Sequence, residues 1–375
     1  MQYRQFNDGS KVSLLGVGTM RLPCNADGSI NRPEAISMIR TAVDKGGVNY
    51  VDTAYMYHGG DSERLVGEAL QDGYREKVLL ADKMPVVMVR SPEQAREIFA
   101  EQLDRLQTDY IDYYLAHNIT KKIWEIGKKH DVIPYLQELK EQGKIKRLGF
   151  SYHDDLEFFK EVVDAAPWDF CQIQFNFMDK NYQAGIEGLK YAASKGLSVI
   201  IMEPLKGGKL TEKVPAEIQA IWDSAEVKRT PAEWGLRWVA NFPEVTCILS
   251  GMSSMEQLLQ NIETMEDALP GTLTEAEMAV IDKVSDKYNE TIKYSCTGCQ
   301  YCLPCAKKIP IPDVIECYNE WHAYGDNAGT RLSYSWIPAG KTASACIDCK
   351  ACEGKCPQHL PISQIMKEAA QAFGK

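Results

Sequence analysis

The chain has 375 residues, of which 45% are apolar and 25% charged, an ordinary globular composition. Its 42 basic and 52 acidic side chains leave a formal charge of −10, which excludes a basic nucleic-acid footprint over the chain as a whole. No apolar run reaches the ~18 residues of a membrane helix, and the N-terminus lacks the charged start and apolar core of a signal peptide, so a cytoplasmic protein is expected.

In chain order, eight short apolar runs alternate with longer amphipathic stretches. The runs are SLLGV at 13–17, VNYV at 48–51, VLLA at 78–81, IDYYLA at 111–116, KRLGF at 146–150, CQIQF at 171–175, LSVIIM at 197–202 and TCIL at 246–249. Each fits a strand buried on both faces. Between them, Ala95, Ile98, Phe99, Gln102, Leu103 and Leu106 follow the spacing of one helix face over 93–106. Helix starts are marked at Ser91-Pro92-Glu93-Gln94, Thr230-Pro231-Ala232-Glu233 and Thr274-Glu275-Ala276-Glu277.

Eight β-then-α units predict a closed parallel (β/α)8 TIM barrel over residues 1–285. An open doubly wound sheet is the alternative. Against it, Gly16 and Gly18 in LGVGTM lack the third glycine of a dinucleotide-binding turn, and a loop follows them.

Barrel enzymes carry reactive side chains at the C-terminal ends of strands. Asp52 follows VNYV, Lys83 comes just after VLLA, His117 follows IDYYLA, and Tyr57 stands in the loop DTAYMYHGG. Together they make a proton-relay set. A lysine ammonium lowers a nearby phenol, a carboxylate anchors the lysine, and a histidine orients a carbonyl. Singly, each has a plainer reading as a helix cap, a surface charge, a structural histidine or loop packing.

The cysteines divide the chain. Nine of twelve fall between Cys296 and Cys356, while Cys24, Cys171 and Cys247 are scattered. Such local crowding reads as metal binding rather than disulfides in a cytosolic chain. Cys296, Cys299, Cys302 and Cys305 stand at C-x2-C-x2-C-x2-C. Cys346, Cys349, Cys352 and Cys356 stand at C-x2-C-x2-C-x3-C before Pro357. The second run is that of bacterial ferredoxins and predicts [4Fe–4S] clusters. Zinc is the alternative, but its sites use paired C-x2-C steps. The first run is one residue short of the usual x3, which sets Cys305 apart. Cys317 reads as a buried thiol. The predicted second domain, 286–375, is small, mostly helical and ferredoxin-like, with two [4Fe–4S] clusters.

The run GVNYVDTAYMYHGGDSERLVGEAL, with LLADKMP and DYYLAHN, resembles the aldo-keto reductases over residues 5–285. The resemblance implies a catalytic tetrad of Asp52, Tyr57, Lys83 and His117. It implies hydride transfer between a nicotinamide and a carbonyl, with Tyr57 as general acid. It also implies cofactor contacts from Ser151 and Gln172. Met202, with Pro204 and Leu205, stands at the place of the usual ring-stacking aromatic. Gly251, Ser253, Ser254 and Asn261 match the pyrophosphate loop. Three positions depart from the family pattern: Tyr152 stands for Asn, Met202 for an aromatic, and Gln257 for the Arg that binds a 2′-phosphate. The last departure makes NADH as well as NADPH an expected cofactor, and a phosphate site on a barrel also accommodates FMN. Trp124 and Ile123 are candidates for the substrate pocket, with weaker claims for Arg21, Tyr55 and His58.

The whole chain resembles aldo-keto reductases with a C-terminal ferredoxin-type domain found in anaerobic bacteria. That implies a crossed ligation, with Cys356 joining Cys296, Cys299 and Cys302, and Cys305 joining Cys346, Cys349 and Cys352. Three functions are compatible with the sequence. One is a carbonyl reductase or alcohol dehydrogenase with attached clusters. Another is a cluster-wired oxidoreductase served by a ferredoxin or flavoprotein partner. The third is a non-catalytic redox sensor on the same scaffold.

Overall fold

The computed structural model describes residues 1–296, 298, 300–356 and 358–374. Cys299 and Pro357 of the cysteine runs lie outside the described residues.

The chain divides into two compact units, Met1–Pro204 with Glu233–Leu273, and Leu205–Ala232 with Thr274–Lys375. The first holds a closed, all-parallel barrel. It begins with a hairpin that the apolar runs did not announce, β1 (Tyr3–Gln5) and β2 (Lys11–Ser13). The barrel strands are β3 (Leu15–Gly18), β4 (Tyr50–Asp52), β5 (Leu79–Met84), β6 (Ile111–Ile119), β7 (Ile145–Tyr152), β8 (Phe170–Gln174), β9 (Ser198–Met202) and β10 (Val245–Ser250). They pair in sequence order, and β10 closes on β3. The eight runs thus form eight strands, and the open-sheet alternative is excluded.

The hairpin plugs the barrel. Phe6 and Val12 pack with Tyr50, Ala81, Tyr113, Leu115, Phe170, Ile200, Cys247 and Leu249, and the Phe6 and Tyr113 rings stack at 4.5 Å. Gly16 faces this core: a Cβ there would lie 2.8 Å from the Leu249 side chain and 3.0 Å from Cys247 Sγ. The glycine of LGVG therefore answers a packing demand, not a phosphate.

Helices cover the strands. Over Pro92–Leu106, the residues Ala95, Ile98, Phe99, Gln102 and Leu106 are buried as their spacing predicts, with Leu103 half-buried. Ser91 caps that helix by accepting from the Gln94 amide at 3.3 Å. No helix among the described residues is long and apolar enough to cross a membrane.

In the second unit, Thr274 and Glu277 form the expected capping box on the helix Glu275–Glu290. Beyond it lie helices Ile311–Tyr324, Ala328–Ser335 and Ile362–Phe373. They bury Ile309, Val314, Ile315, Tyr318, Ile337, Ile365 and Met366 in a core of their own. Cys317 is buried in it, and burial pushes its thiol up to about 12. This unit takes in residues 205–232 as well as 274 onward, so it does not coincide with a single break at 285.

Candidate functional site

Parallel pairing puts the C-terminal ends of β4, β5 and β6 side by side, with Asp52 opposite Ala81 and Lys83 opposite Leu115. That register brings the four predicted residues together. Lys83 Nζ donates to Asp52 Oδ1 at 2.5 Å and to the Thr53 carbonyl at 2.6 Å. It lies 5.1 Å from the centroid of the Tyr57 ring. The Tyr57 ring meets the His117 ring edge-on at 6.1 Å. Tyr57 gets there because His58, Gly59 and Gly60 all take left-handed backbone (φ 51, 65 and 92), folding the loop sharply back.

Burial governs the electrostatics. Lys83 is 0% exposed. Burial alone would lower its ammonium, but Asp52 and Tyr57 outweigh it and raise the lysine above its ordinary value. For Tyr57 the balance runs against the sequence expectation. Burial raises the phenol further than Lys83 lowers it, so the hydroxyl is held protonated. His117 is pushed well below its ordinary value by burial, with help from Lys83 and His153. Its imidazole is therefore neutral, and the buried Nδ1 has no hydrogen-bond partner among the described residues.

Two of the predicted cofactor residues stand on neighbouring strands of the same barrel. Ser151, next to the end of β7, pairs with Gln172 on β8. Ser151 Oγ accepts from the Asn118 amide at 2.7 Å. Gln172 donates to Asp52 Oδ2 at 3.0 Å, so it anchors the tetrad's carboxylate as well. Tyr152, the residue in place of Asn, turns into the helix layer. Its hydroxyl donates to the Asp155 carbonyl at 2.6 Å, and its ring lies 5.0 Å from that of Phe159.

Met202 ends β9, half-buried, with Glu203 and Pro204 following. Leu205 opens the second unit. Past β10, Ser254 caps the helix Met255–Thr264 and accepts from the Gln257 amide at 3.3 Å. Gln257 Oε1 accepts from the Ser253 amide at 2.8 Å, and Asn261 donates to Ser250 Oγ at 3.0 Å. A Cβ on Gly251 would lie 3.3 Å from Arg21, whose guanidinium pairs with Glu203 at 2.9 Å.

Three pocket candidates take structural roles. Trp124 packs by Trp168 with ring centroids 6.4 Å apart, and Ile123 is buried. Tyr55 donates to Glu101 at 2.7 Å. Sequence reasoning missed His153, half-buried and electrostatically felt by His117; its only signal was its place two residues after Ser151.

In the second unit, Cys305, Cys346, Cys349 and Cys352 line one small cavity, with Ile309, Ile311, Ile362 and Met366. Cys296, Cys302 and Cys356 pack against the neighbouring core. Among the described residues, no three His, Cys, Asp or Glu side chains stand close enough to hold a metal ion.

Comparison with known proteins accords with the barrel's geometry. The profile described as "Aldo/keto reductase family" matches residues 14–286. An NADH-specific methylglyoxal reductase from Escherichia coli is 27% identical over 321 residues, 73% of this chain and 95% of that protein. An L-galactose dehydrogenase from Arabidopsis thaliana is 28% identical over 288 residues, 70% of this chain and 86% of that one. Among solved structures, a Bacillus halodurans aldo-keto reductase in its holo form aligns with a TM-score of 0.63 at 27% identity, covering 76% of this chain and 96% of its own. A Klebsiella pneumoniae aldo/keto reductase in complex with NADP and acetate aligns with a TM-score of 0.58 at 26% identity, covering 75% and 94%. The chain belongs to the aldo/keto reductase family and is an oxidoreductase acting at a carbonyl or alcohol carbon.

Proposed function

We propose that the protein reduces a small carbonyl compound with NADH or NADPH through Asp52, Tyr57, Lys83 and His117. The observation that carries this is the buried Lys83–Asp52 pair facing a protonated Tyr57 and a neutral His117 at one barrel mouth. The residues present fit a nicotinamide cofactor. Ser151 and Gln172 offer polar groups on neighbouring strands, and Gly251 with the capped helix start at Met255 offers backbone donors for phosphate. The bound nicotinamide supplies a hydride to the carbonyl carbon. Tyr57 gives its proton to the carbonyl oxygen, and the Lys83 ammonium stabilises the phenolate left behind. Asp52 and Gln172 hold Lys83 in place. His117, being neutral, keeps an N–H for the carbonyl oxygen.

Exposed Gln257 at the helix start offers no cation to a 2′-phosphate, and the Escherichia coli relative is NADH-specific by name, so NADH is the proposed cofactor. The test is turnover over a panel of aldehydes and ketones with either nucleotide. Tyr57→Phe is expected to bind nucleotide yet lose turnover; undiminished turnover in that variant overturns the tetrad.

The second part of the proposal is that residues 286–375 form a ferredoxin-type module with two [4Fe–4S] clusters. The family match ends at residue 286, next to that boundary. The supporting observation is the four-cysteine cavity, which draws Cys305 from the first run to three cysteines of the second, as crossed ligation requires. A four-iron cluster binds each thiolate through a different iron, so its ligands stand further apart than those of one ion. Crossed ligation assigns the second cluster to Cys296, Cys302 and Cys356 together with Cys299, which lies outside the described residues. Such clusters supply one-electron chemistry, which suits exchange with a ferredoxin or flavoprotein. Iron and sulfide analysis of anaerobically purified protein tests this part; iron-free protein of full activity and stability contradicts it.

A further inference from the structure

Behind Lys83, on the outer side of β5, lies a polar cluster that the tetrad does not use. Successive residues of a strand point to opposite faces, so Asp82 leaves β5 away from the barrel mouth. It is fully buried with Glu63, from the helix Asp61–Ala69, and Gln102, from the helix Pro92–Leu106. Gln102 is the hub. Its amide nitrogen lies 2.6 Å from Asp82 Oδ2, 3.0 Å from Glu63 Oε1 and 3.1 Å from the Lys83 carbonyl oxygen. Its amide oxygen accepts from the Tyr114 hydroxyl. Asp82 Oδ1 accepts from the Lys83 amide at 2.8 Å. The main chain of Lys83 is thus gripped at both its N–H and its C=O.

The cluster continues to the loop that carries Tyr57. Arg105 Nη1 donates to Glu63 Oε2 at 2.7 Å and lies 3.4 Å from the Tyr55 carbonyl oxygen. Its guanidinium stacks 4.3 Å above the Tyr55 ring. A Cβ on Gly60 would come within 2.8 Å of Arg105 Nη1. Tyr55 and Gly60 bracket Tyr57. Burying two carboxyls, an amide and a guanidinium is costly where apolar packing would serve the fold as well. The placement is what apolar side chains could not reproduce: one continuous set of hydrogen bonds from the Lys83 backbone to the Tyr57 loop.

We propose that Gln102, with Asp82, Glu63 and Arg105, is a positioning bridge that sets the Lys83 ammonium against the Tyr57 hydroxyl. The inference rests on the tetrad reading. It makes Gln102 and Arg105 positioning residues that touch no reacting atom. The charged and titratable groups facing Tyr57 are Lys83, Asp52, Glu203 and His117; those facing Lys83 are Asp52, Tyr57, Asp82 and His117. Loosening the bridge therefore weakens the hold of the Lys83 cation that favours the phenolate.

The test uses the full chain with Gln102→Leu, Arg105→Lys and the double variant. Each single variant is expected to lower kcat on the order of 10- to 100-fold, with KM for nucleotide and carbonyl little changed. Each is expected to move the alkaline limb of the kcat profile to higher pH, which a general loss of folded protein would not do. Because both act through one link, the double variant is expected to be no slower than the poorer single. Unchanged kcat and limb, or losses that multiply, overturn the bridge. If Gln102→Leu does not fold, Arg105→Lys decides by the same two readouts. Tyr57→Phe run beside them separates the layers. If it stays active, the tetrad fails and the bridge with it. If it is inactive while both bridge variants behave as wild type, the bridge alone fails.

Discussion

Lys83 Nζ lies 2.5 Å from Asp52 Oδ1, and both side chains are sealed from solvent. Removing one partner of a buried pair strands the other's charge, at a cost of about 3–5 kcal/mol, whereas removing both is often close to neutral. Asp52→Asn and Lys83→Met are each expected to lose stability in that range by urea unfolding. The double variant is expected to recover most of it. Additive losses contradict the pairing.

Asp82 is held well above the ordinary carboxylate range, first by burial and then by Glu63. A carboxyl raised on folding contributes stability at low pH that is lost as pH rises through its folded value. Glu63, Lys83, Arg105 and Tyr114 are the charged and titratable groups around it. Asp82→Asn removes the titration, so its Tm relative to wild type is expected to climb as pH rises above the ordinary carboxylate range near 4, by roughly 2–4 °C per kcal/mol. A constant difference over that rise shows that Asp82 does not titrate there.

Gln257 occupies the first turn of the helix Met255–Thr264 and is exposed. An arginine there supplies a charge-assisted partner to a 2′-phosphate, worth about 1.5–3 kcal/mol. Gln257→Arg is expected to lower KM for NADPH by roughly tenfold or more and leave NADH within about twofold. Equal changes for both nucleotides would place the 2′-phosphate elsewhere.

Cys305 shares its cavity with Cys346, Cys349 and Cys352. Two four-iron clusters amount to about eight irons per chain. Cys305→Ser is expected to lose about half of them, with the remaining paramagnetic signal narrowing to one cluster type. Full iron retention removes Cys305 from the ligand set.

The barrel was legible because buried parallel strands leave continuous apolar runs, and eight of them were visible from Leu14 to Leu249. The hairpin Tyr3–Ser13 was not, because its strands, YRQ and KVS, are largely polar and leave no apolar run. The tetrad was legible because strand ends place Asp52, Lys83 and His117 at one rim. What lay hidden was three-dimensional. Gln172 reaches Asp52 across 120 positions of sequence. Gln102 read as one more position on an amphipathic face, yet it is the donor that grips Lys83. Proximity of Lys83 to Tyr57 was expected to lower the phenol. Burial, which spacing does not report, reverses that balance.

Deuterium transfer tests the central claim most directly. Nicotinamide deuterated at the transferring C4 position is incubated with the protein and a carbonyl substrate, and the alcohol is analysed by mass spectrometry. Wild-type protein is expected to place deuterium on the carbinol carbon, and Tyr57→Phe to place none above background. Alcohol formed without deuterium, or equal labelling by Tyr57→Phe, contradicts hydride transfer governed by this tetrad.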